Sequence, residues 1–380
     1  MAEAGEPTWV IARRRRIHGF DAVDRRLDSG VMSAQRLDVV ADPHPISQRR
    51  LRRWFRRIVL TAATLLVVAV AAGAIYQWVS ERRDLERYAP PGRLVDVGGY
   101  RLHLHCIGSG SPGVVFDAGL GDNFVTWAAV QPQVAAFTQA CSYDRAGLGW
   151  SEPGPAPRTS DRIVSELSVL LKQAAIPGPF VLVGHSLGGL HMRLFAFTNP
   201  DAVAGLVLVD PSHEDQLQRM TPTPPILNLM LQSLSPAAPF GLSRVLIQQI
   251  PPPSSPSVSE DMRGMELAGM TRTRAIRTMV AEYGAIRASS DAVHRLRHPL
   301  GNLPVTVLSA GQIISGPGMS NEAALHDRRV MRELHEQIVS SSNAGRLIVA
   351  EQSGHFIQAS QPDLVVDAVR SMVASIRRSQ

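Results

Sequence analysis

Nothing restricts this chain more than the 22 uncharged residues from Ile58 to Val79, IVLTAATLLVVAVAAGAIYQWV. As a helix rising about 1.5 Å per residue, the run reaches about 33 Å, the thickness of a bilayer core. Six arginines, Arg49, Arg50, Arg52, Arg53, Arg56 and Arg57, crowd its amino-terminal side, and Trp54, Tyr76 and Trp78 lie near the two ends. Cationic flanks and interfacial aromatics mark a membrane span. The charge bias places residues 1–57 in the cytoplasm and everything after Val79 outside. Ala72-Gly73-Ala74 would suit a signal-peptide cleavage site, but the run is longer than a usual signal and the region before it is long. A buried core helix fits less well, since the run has no polar face.

The net charge of +6 raises the question of nucleic acid. Residues 1–57 hold 13 arginines against 7 acids, which accounts for all of the excess. A neutral remainder behind a basic leader argues for an anionic membrane surface and against nucleic-acid binding. The leader shows no sustained apolar periodicity and reads as a disordered cytoplasmic tail. After the span, residues 80–92 read as a linker: Ser80 to Tyr88 is polar, and Pro90-Pro91-Gly92 closes it.

From Arg93 onward, short apolar runs alternate with helical patterns, the signature of a mostly parallel sheet flanked by helices. Eight strands are expected, at Leu94–Val97, Leu102–Cys106, Val114–Phe116, Ala140–Tyr143, Phe180–Val183, Leu206–Val209, Val305–Ser309 and Leu347–Val349. Helices are expected over Ser160–Ala174 and in the last segment. There Leu364, Val365, Ala368, Val369, Met372, Val373 and Ile376 form one apolar stripe. An insertion of roughly 212–303, rich in Leu, Met and Pro, separates strands six and seven, with Pro251–Ser257 as a hinge. Excursions of this length inside a compact domain usually carry function.

Gly184-His185-Ser186-Leu187-Gly188 follows one apolar run and precedes a helical pattern, Leu190–Phe197. A strand-turn-helix with this spacing is a nucleophile elbow: a sharp turn strains the serine backbone, and the flanking glycines let other backbones approach. With glycine and serine this common, the pattern alone is weak, and its context carries the weight. A serine hydroxyl needs a base, and a histidine titrating near neutrality is suited to the task. His355, in Ala350-Glu351-Gln352-Ser353-Gly354-His355-Phe356, lies between the last strand and the last helix, at the sheet edge where such folds bind ligands. His213-Glu214-Asp215 is a poor metal candidate, because three adjacent residues do not converge on one ion. His185 reads as a packing residue with a polar tip.

With these residues in place, the stretch from about Arg93 to Arg377 resembles the α/β-hydrolase superfamily, whose members carry nucleophile, acid and histidine in that order. Tyr143-Asp144-Arg145-Ala146-Gly147-Leu148-Gly149-Trp150-Ser151 is similar to its strand-four loop, where the Asp and glycines are mostly structural. Val114-Val115-Phe116-Asp117-Ala118-Gly119-Leu120-Gly121 sits where the family has its oxyanion loop, with Asp117-Ala118 in place of the commoner His-Gly. The resemblance implies an α/β-hydrolase fold, eight strands with a helical lid inserted after strand six, and an oxyanion hole from the N–H groups of Leu187 and Leu120.

The family commonly carries its acid after strand seven, but Ala310-Gly311-Gln312-Ile313-Ile314 has no carboxylate. Some members place it at the end of strand six, where this chain has Asp210, which would orient His355. Asp210 could instead only cap the turn before Pro211, which leaves Glu322 and Asp327 as alternates. Cys106 and Cys141 fall on strands that neighbour each other in this fold, so they form either a disulfide or two buried thiols. The expectation is thus a membrane-anchored serine hydrolase acting on a small-molecule ester or lipid-like substrate, without cofactor or metal. The alternatives are a non-catalytic binding module of the same fold, or a peptidase or thioesterase using the same residues.

Overall fold

A computed structural model describes residues 48–313 and 319–379 of the chain. The expected tail lies mostly outside the described residues, as does Ile314. The chain divides into two compact units, 1–59 and 60–380, and the described part of the first is helix. In order the elements are α1 (Gln48–Arg87), β1 (Arg93–Asp96), β2 (Arg101–Ile107), β3 (Val114–Asp117), α2 (Gln131–Ala135), β4 (Ala140–Tyr143), α3 (Ser160–Gln173), β5 (Phe180–His185), α4 (Leu187–Thr198) and β6 (Val203–Val209). An excursion of six helices follows: α5 (Gln216–Arg219), α6 (Pro225–Ala237), α7 (Leu242–Gln249), α8 (Glu260–Met270), α9 (Thr273–Gly284) and α10 (Ile286–Leu296). The chain closes with β7 (Val305–Ala310), α11 (Asn321–Ser340), β8 (Gly345–Ala350), α12 (Ile357–Ser360) and α13 (Pro362–Ser379).

Two boundaries drawn from the sequence need correcting. Residues 48–57, read as part of the tail, and Ser80–Arg87, read as linker, both belong to α1. Polar residues at helical spacing are the reason for the second: Glu81 and Asp84 of the connector continue the face of Gln77 in the apolar run, and each finds a partner, described below. Helix α1 is long and apolar enough to cross a bilayer, and Leu51 to Ala72 are exposed throughout.

The eight strands form one sheet in the order β1-β2-β4-β3-β5-β6-β7-β8, antiparallel at the β1-β2-β4 end and parallel from β4 onward. Its central strands read as continuous apolar runs because both faces are covered. Alternate residues go to opposite cores. Val115, Leu182, Leu206 and Val307 pack with Leu167, Leu170 and Leu194 of α3 and α4. Val114, Val183, Val207 and Leu308 pack with Trp127 and the α13 stripe Val365, Val369, Met372 and Val373. Parallel register brings the carboxyl ends of β3, β5, β6 and β7 to one edge, with His185 beside Val209 and Asp117 beside Gly184.

Cys106 and Cys141 stand opposite each other on β2 and β4 and are joined in a disulfide. The bond closes a loop spanning 35 positions, which is worth about 3–4 kcal/mol through the unfolded chain. Replacing both cysteines by alanine should lower the melting temperature by several degrees and abolish its sensitivity to dithiothreitol. An unchanged melting temperature would show that the sheet does not need the bond.

Candidate active site

Between β5 and α4 the chain reverses within one residue, Ser186, whose backbone sits at φ 52° and ψ −120°. Strain of this kind costs about 1–3 kcal/mol and persists only where surroundings impose it. Here close backbone approach does so. A Cβ on Gly184 would lie 2.5 Å from Gly188 O, one on Gly188 2.5 Å from Asp117 O, and one on Gly189 2.5 Å from the Pro211 side chain. Ser186 stands at the amino terminus of α4 and its side chain makes no capping bond there. The first N–H groups of that helix, Leu187's included, have no intrahelical acceptor.

The turn is also bonded to the end of β6. Ser186 N donates to Val209 O (3.1 Å) and Ser212 N donates to Ser186 O (2.8 Å). Asp210, between those residues, has φ 41°, and its own N–H donates to Leu308 O at 2.7 Å. Its carboxylate is held at both oxygens: Oδ1 accepts from Ala310 N (2.9 Å) and Oδ2 pairs with His355 Nδ1 (2.7 Å). Burial works against the Asp210 carboxylate, yet its hydrogen bond with His355 and the imidazole's charge hold it below the usual range. Burial likewise disfavours the His355 imidazolium, but the bond to Asp210 and the charges of Asp210 and Asp122 raise it above its ordinary value.

Neither alternate for the acid is bonded to His355, although Asp327 lines the cavity beside it. Asp327 accepts from Thr221 N and Oγ1 (2.7 and 2.8 Å), tying α11 to the excursion, and Glu322 is exposed. His185 donates Nε2–H to His355 O (3.0 Å), and its ring lies 4.7 Å from that of His355. Burial, reinforced by the charge on His355, drops the His185 pKa to about 3, so it stays neutral. His213, Glu214 and Asp215 are engaged away from the site: Glu214 holds Arg193 at 2.6 Å and Asp215 holds His294 at 2.8 Å.

The loop after β3 explains its departure from the commoner dipeptide. Asp117 is fully buried, with Oδ1 on Arg145 Nη1 (2.8 Å) and Oδ2 on His191 Nδ1 (2.9 Å). Arg145 also donates to Ala118 O and Gly119 O, both at 2.7 Å, and grips Glu282 of α9 through two bonds of 2.8 Å. In a trans peptide the carbonyl and the N–H point in opposite directions, so a guanidinium on Gly119 O turns the Leu120 N–H away from Arg145. Sequence reasoning missed the part Arg145 plays, because Glu282 lies 137 positions away and no local pattern announces the pair. It missed Asp122 and Glu266 as well. Burial raises Asp122 to about 6, and burial together with the charge of Asp122 raises Glu266, on α8, to about 8.

Beside His355 and Asp210 opens a cavity of about 320 Å³, walled also by Ser309, Gln312 and Met331. Met220 separates it from a cleft of about 860 Å³ between α6 and α9, lined by Asn228, Gln232, Val280 and Tyr283.

Residues 102–368 match the model of a family described as alpha/beta hydrolase. The protein YqjL of Bacillus subtilis is 28% identical over 270 residues, which cover 71% of this chain and 87% of that one. A probable hydrolytic enzyme from Pseudomonas aeruginosa PAO1 superposes with a TM-score of 0.58 at 17% identity, covering 75% of this chain and 95% of its own. A thermophilic esterase from Thermogutta terrifontis superposes with a TM-score of 0.55 at 21% identity, covering 76% and 99%. At these identities the two solved structures speak for the fold.

Two stability measurements test the buried charges. Arg145→Met leaves Asp117 and Glu282 without their cation and should cost about 3–5 kcal/mol in chemical denaturation. A loss below about 1 kcal/mol would mean the network is not holding the loop. Glu266, raised from 4.5 to about 8, keeps its proton in the fold where the unfolded chain loses it. Its stabilisation is therefore full below pH 4.5 and lost as pH rises through 8. Glu266→Gln should match the native chain's melting temperature at acid pH and exceed it increasingly toward pH 8. Parallel curves would contradict this.

Proposed function

Because the chain belongs to the alpha/beta hydrolase family, we propose that it is a membrane-anchored serine hydrolase that cleaves a carboxylic ester through an acyl-enzyme. The observation that carries this reading is the Asp210–His355 bond of 2.7 Å, made by a histidine whose backbone and ring rest against the residue preceding Ser186. With Nδ1–H committed to Asp210, Nε2 of His355 is the free basic nitrogen.

In the proposed cycle, Ser186 Oγ bonds to the ester carbonyl carbon while its proton passes to His355 Nε2. The carbonyl oxygen becomes an oxyanion between the N–H groups of Leu187 and Leu120. His355 returns the proton to the alkoxide as the ester C–O bond breaks, leaving the acyl group on Ser186. Water then gives a proton to His355 and its oxygen to the acyl carbon, and Ser186 departs with that proton. Asp210 keeps the imidazole in one tautomer and stabilises its cation. The six-helix excursion serves as the lid, and the cleft beyond Met220 takes the larger substrate group.

The anchor rests on the uncharged run of α1, its exposure and its arginine-rich amino-terminal flank. On this reading residues before the run are cytoplasmic and the hydrolase unit is extracytoplasmic, a setting that suits the Cys106–Cys141 disulfide.

Turnover of short p-nitrophenyl esters tests the assignment. Asp210→Asn should lower kcat by about 10⁴-fold, while Glu322→Gln stays within a few-fold. Since Asp210 favours the protonated imidazole, the acid limb of kcat/KM should lie above the ordinary histidine value and fall in Asp210→Asn. Full turnover in Asp210→Asn, or an acid limb that does not move, would remove Asp210 from the mechanism.

A further inference from the structure

Helix α1 carries a stripe of Gly73, Gln77, Glu81 and Asp84, which Tyr88 continues just past its end, where its N–H donates to Asp84 O; they are spaced three or four apart and so lie on one face. All five meet the six-helix excursion or residues beside it. Gly73 lies flat on the corner between α6 and α7, where a Cβ would stand 2.5 Å from Phe240 O, and Tyr76 covers Gly241. Gln77 Nε2 donates to Thr271 O (2.9 Å), and Glu81 accepts from Thr273 N and Oγ1 (both 2.7 Å). Arg244, 3% exposed, donates to Gln77 Oε1 (3.0 Å) and Asp84 Oδ2 (2.7 Å). Trp150 Nε1 donates to Tyr88 O at 3.2 Å.

This docking sets the height of the α6–α7 corner relative to the apolar run. Gly73 precedes the end of the run, Val79, by six residues, or about 9 Å of helix. Phe240 therefore sits beside a point about 9 Å along α1 within the apolar run, comparable to the depth at which interfacial helices bury their apolar faces. The surrounding sequence suits that position. From Met220 to Ser259 Arg244 is the single charged residue, and it is buried against α1. On α7, Leu242, Val245, Leu246 and the following Ile250, 81% exposed, face outward, and on α6 Ile226, Leu229 and Met230 do the same. An apolar surface of this size is uncommon on a monomer in water. Other residues of α6, Asn228 and Gln232, wall the cleft that Met220 separates from the His355 cavity.

We propose that the exposed face of α6 and α7 is seated in the outer leaflet of the bilayer that α1 crosses, so that the hydrolase site draws an acyl ester substrate from that leaflet. The inference rests on the membrane-anchored hydrolase reading and names its substrate class. Continuity with the span selects the bilayer over a second copy of the chain: the face begins where Gly73 and Tyr76 already lie inside the apolar run.

The full chain in phosphatidylcholine nanodiscs tests both parts. Bimane attached at Leu246→Cys or Ile250→Cys should lose about half its fluorescence when the acyl chains are brominated, whereas a probe at Asp367→Cys on α13 should not respond. No quenching at either insertion site, or cross-linking of Leu246→Cys between two copies in its place, overturns the seat. In the second arm, Leu229→Asp/Leu246→Asp should slow hydrolysis of a long-chain ester held in the nanodisc about tenfold or more, and of a short soluble ester by less than about twofold. Equal loss on both esters overturns the bilayer route. Hydrolysis of neither by the native chain sinks the hydrolase reading itself, and the quenching result then decides the seat alone.

Discussion

The site depends on one close approach of backbones, at the turn between β5 and α4. Gly184, Gly188 and Gly189 have no room for a side chain because the turn itself, the end of β3 and Pro211 occupy that space. The same contact therefore strains Ser186 and brings two other strand ends against it. Ser186 and Asp210 are two of the three non-glycine residues with positive φ among the described residues. The Ser186 backbone is bonded to Val209 and Ser212, on either side of Asp210, across the gap between β5 and β6. A larger residue at Gly188 would push on Asp117 and Ala118 directly, so one substitution there would disturb both the strained serine and the loop after β3.

Around that turn lie charges that are tolerable only in company. Arg145 has no exposed surface to speak of, and its neutralisation comes from Asp117 beneath the loop and Glu282 on α9. Such a triad contributes little net stability over an apolar core, but any one member left alone is costly. Its use is positional: the guanidinium fixes the carbonyls of Ala118 and Gly119 and ties that loop to the excursion. The excursion is in turn tied to α1 through Gln77, Glu81 and Arg244. A physical chain of contacts thus runs from the apolar helix to the loop beside Ser186.

Much of the fold was legible in the sequence for a simple reason. Strands buried on both faces leave unbroken apolar runs bounded by turn residues, and all eight were placed within a few positions. The stripe of α13 was equally plain, with Val365 to Ile376 buried at helical spacing. For the site, motif and strand context pointed to Ser186 and His355, and the resemblance to the superfamily pointed to Asp210; the last two lie in hydrogen-bond contact. Boundaries read from polarity alone failed at Ser80–Arg87, where Glu81 and Asp84 looked solvent-bound but face Thr273 and Arg244. The Arg145–Glu282 pair and the raised pKa of Glu266 were beyond reach, since each arises from residues far apart in the chain meeting in a buried place.

The central claim is that Ser186 is a nucleophile made reactive by His355, and a covalent probe addresses it without any assumption about substrate. The full chain, in detergent or nanodiscs, is treated with an alkyl fluorophosphonate and digested, and the adduct is located by mass spectrometry. The account predicts phosphonylation on the peptide bearing Ser186, lost in Ser186→Ala and slowed at least about 10³-fold in His355→Ala. An adduct on another serine, or labelling of Ser186 at the same rate without His355, would contradict it.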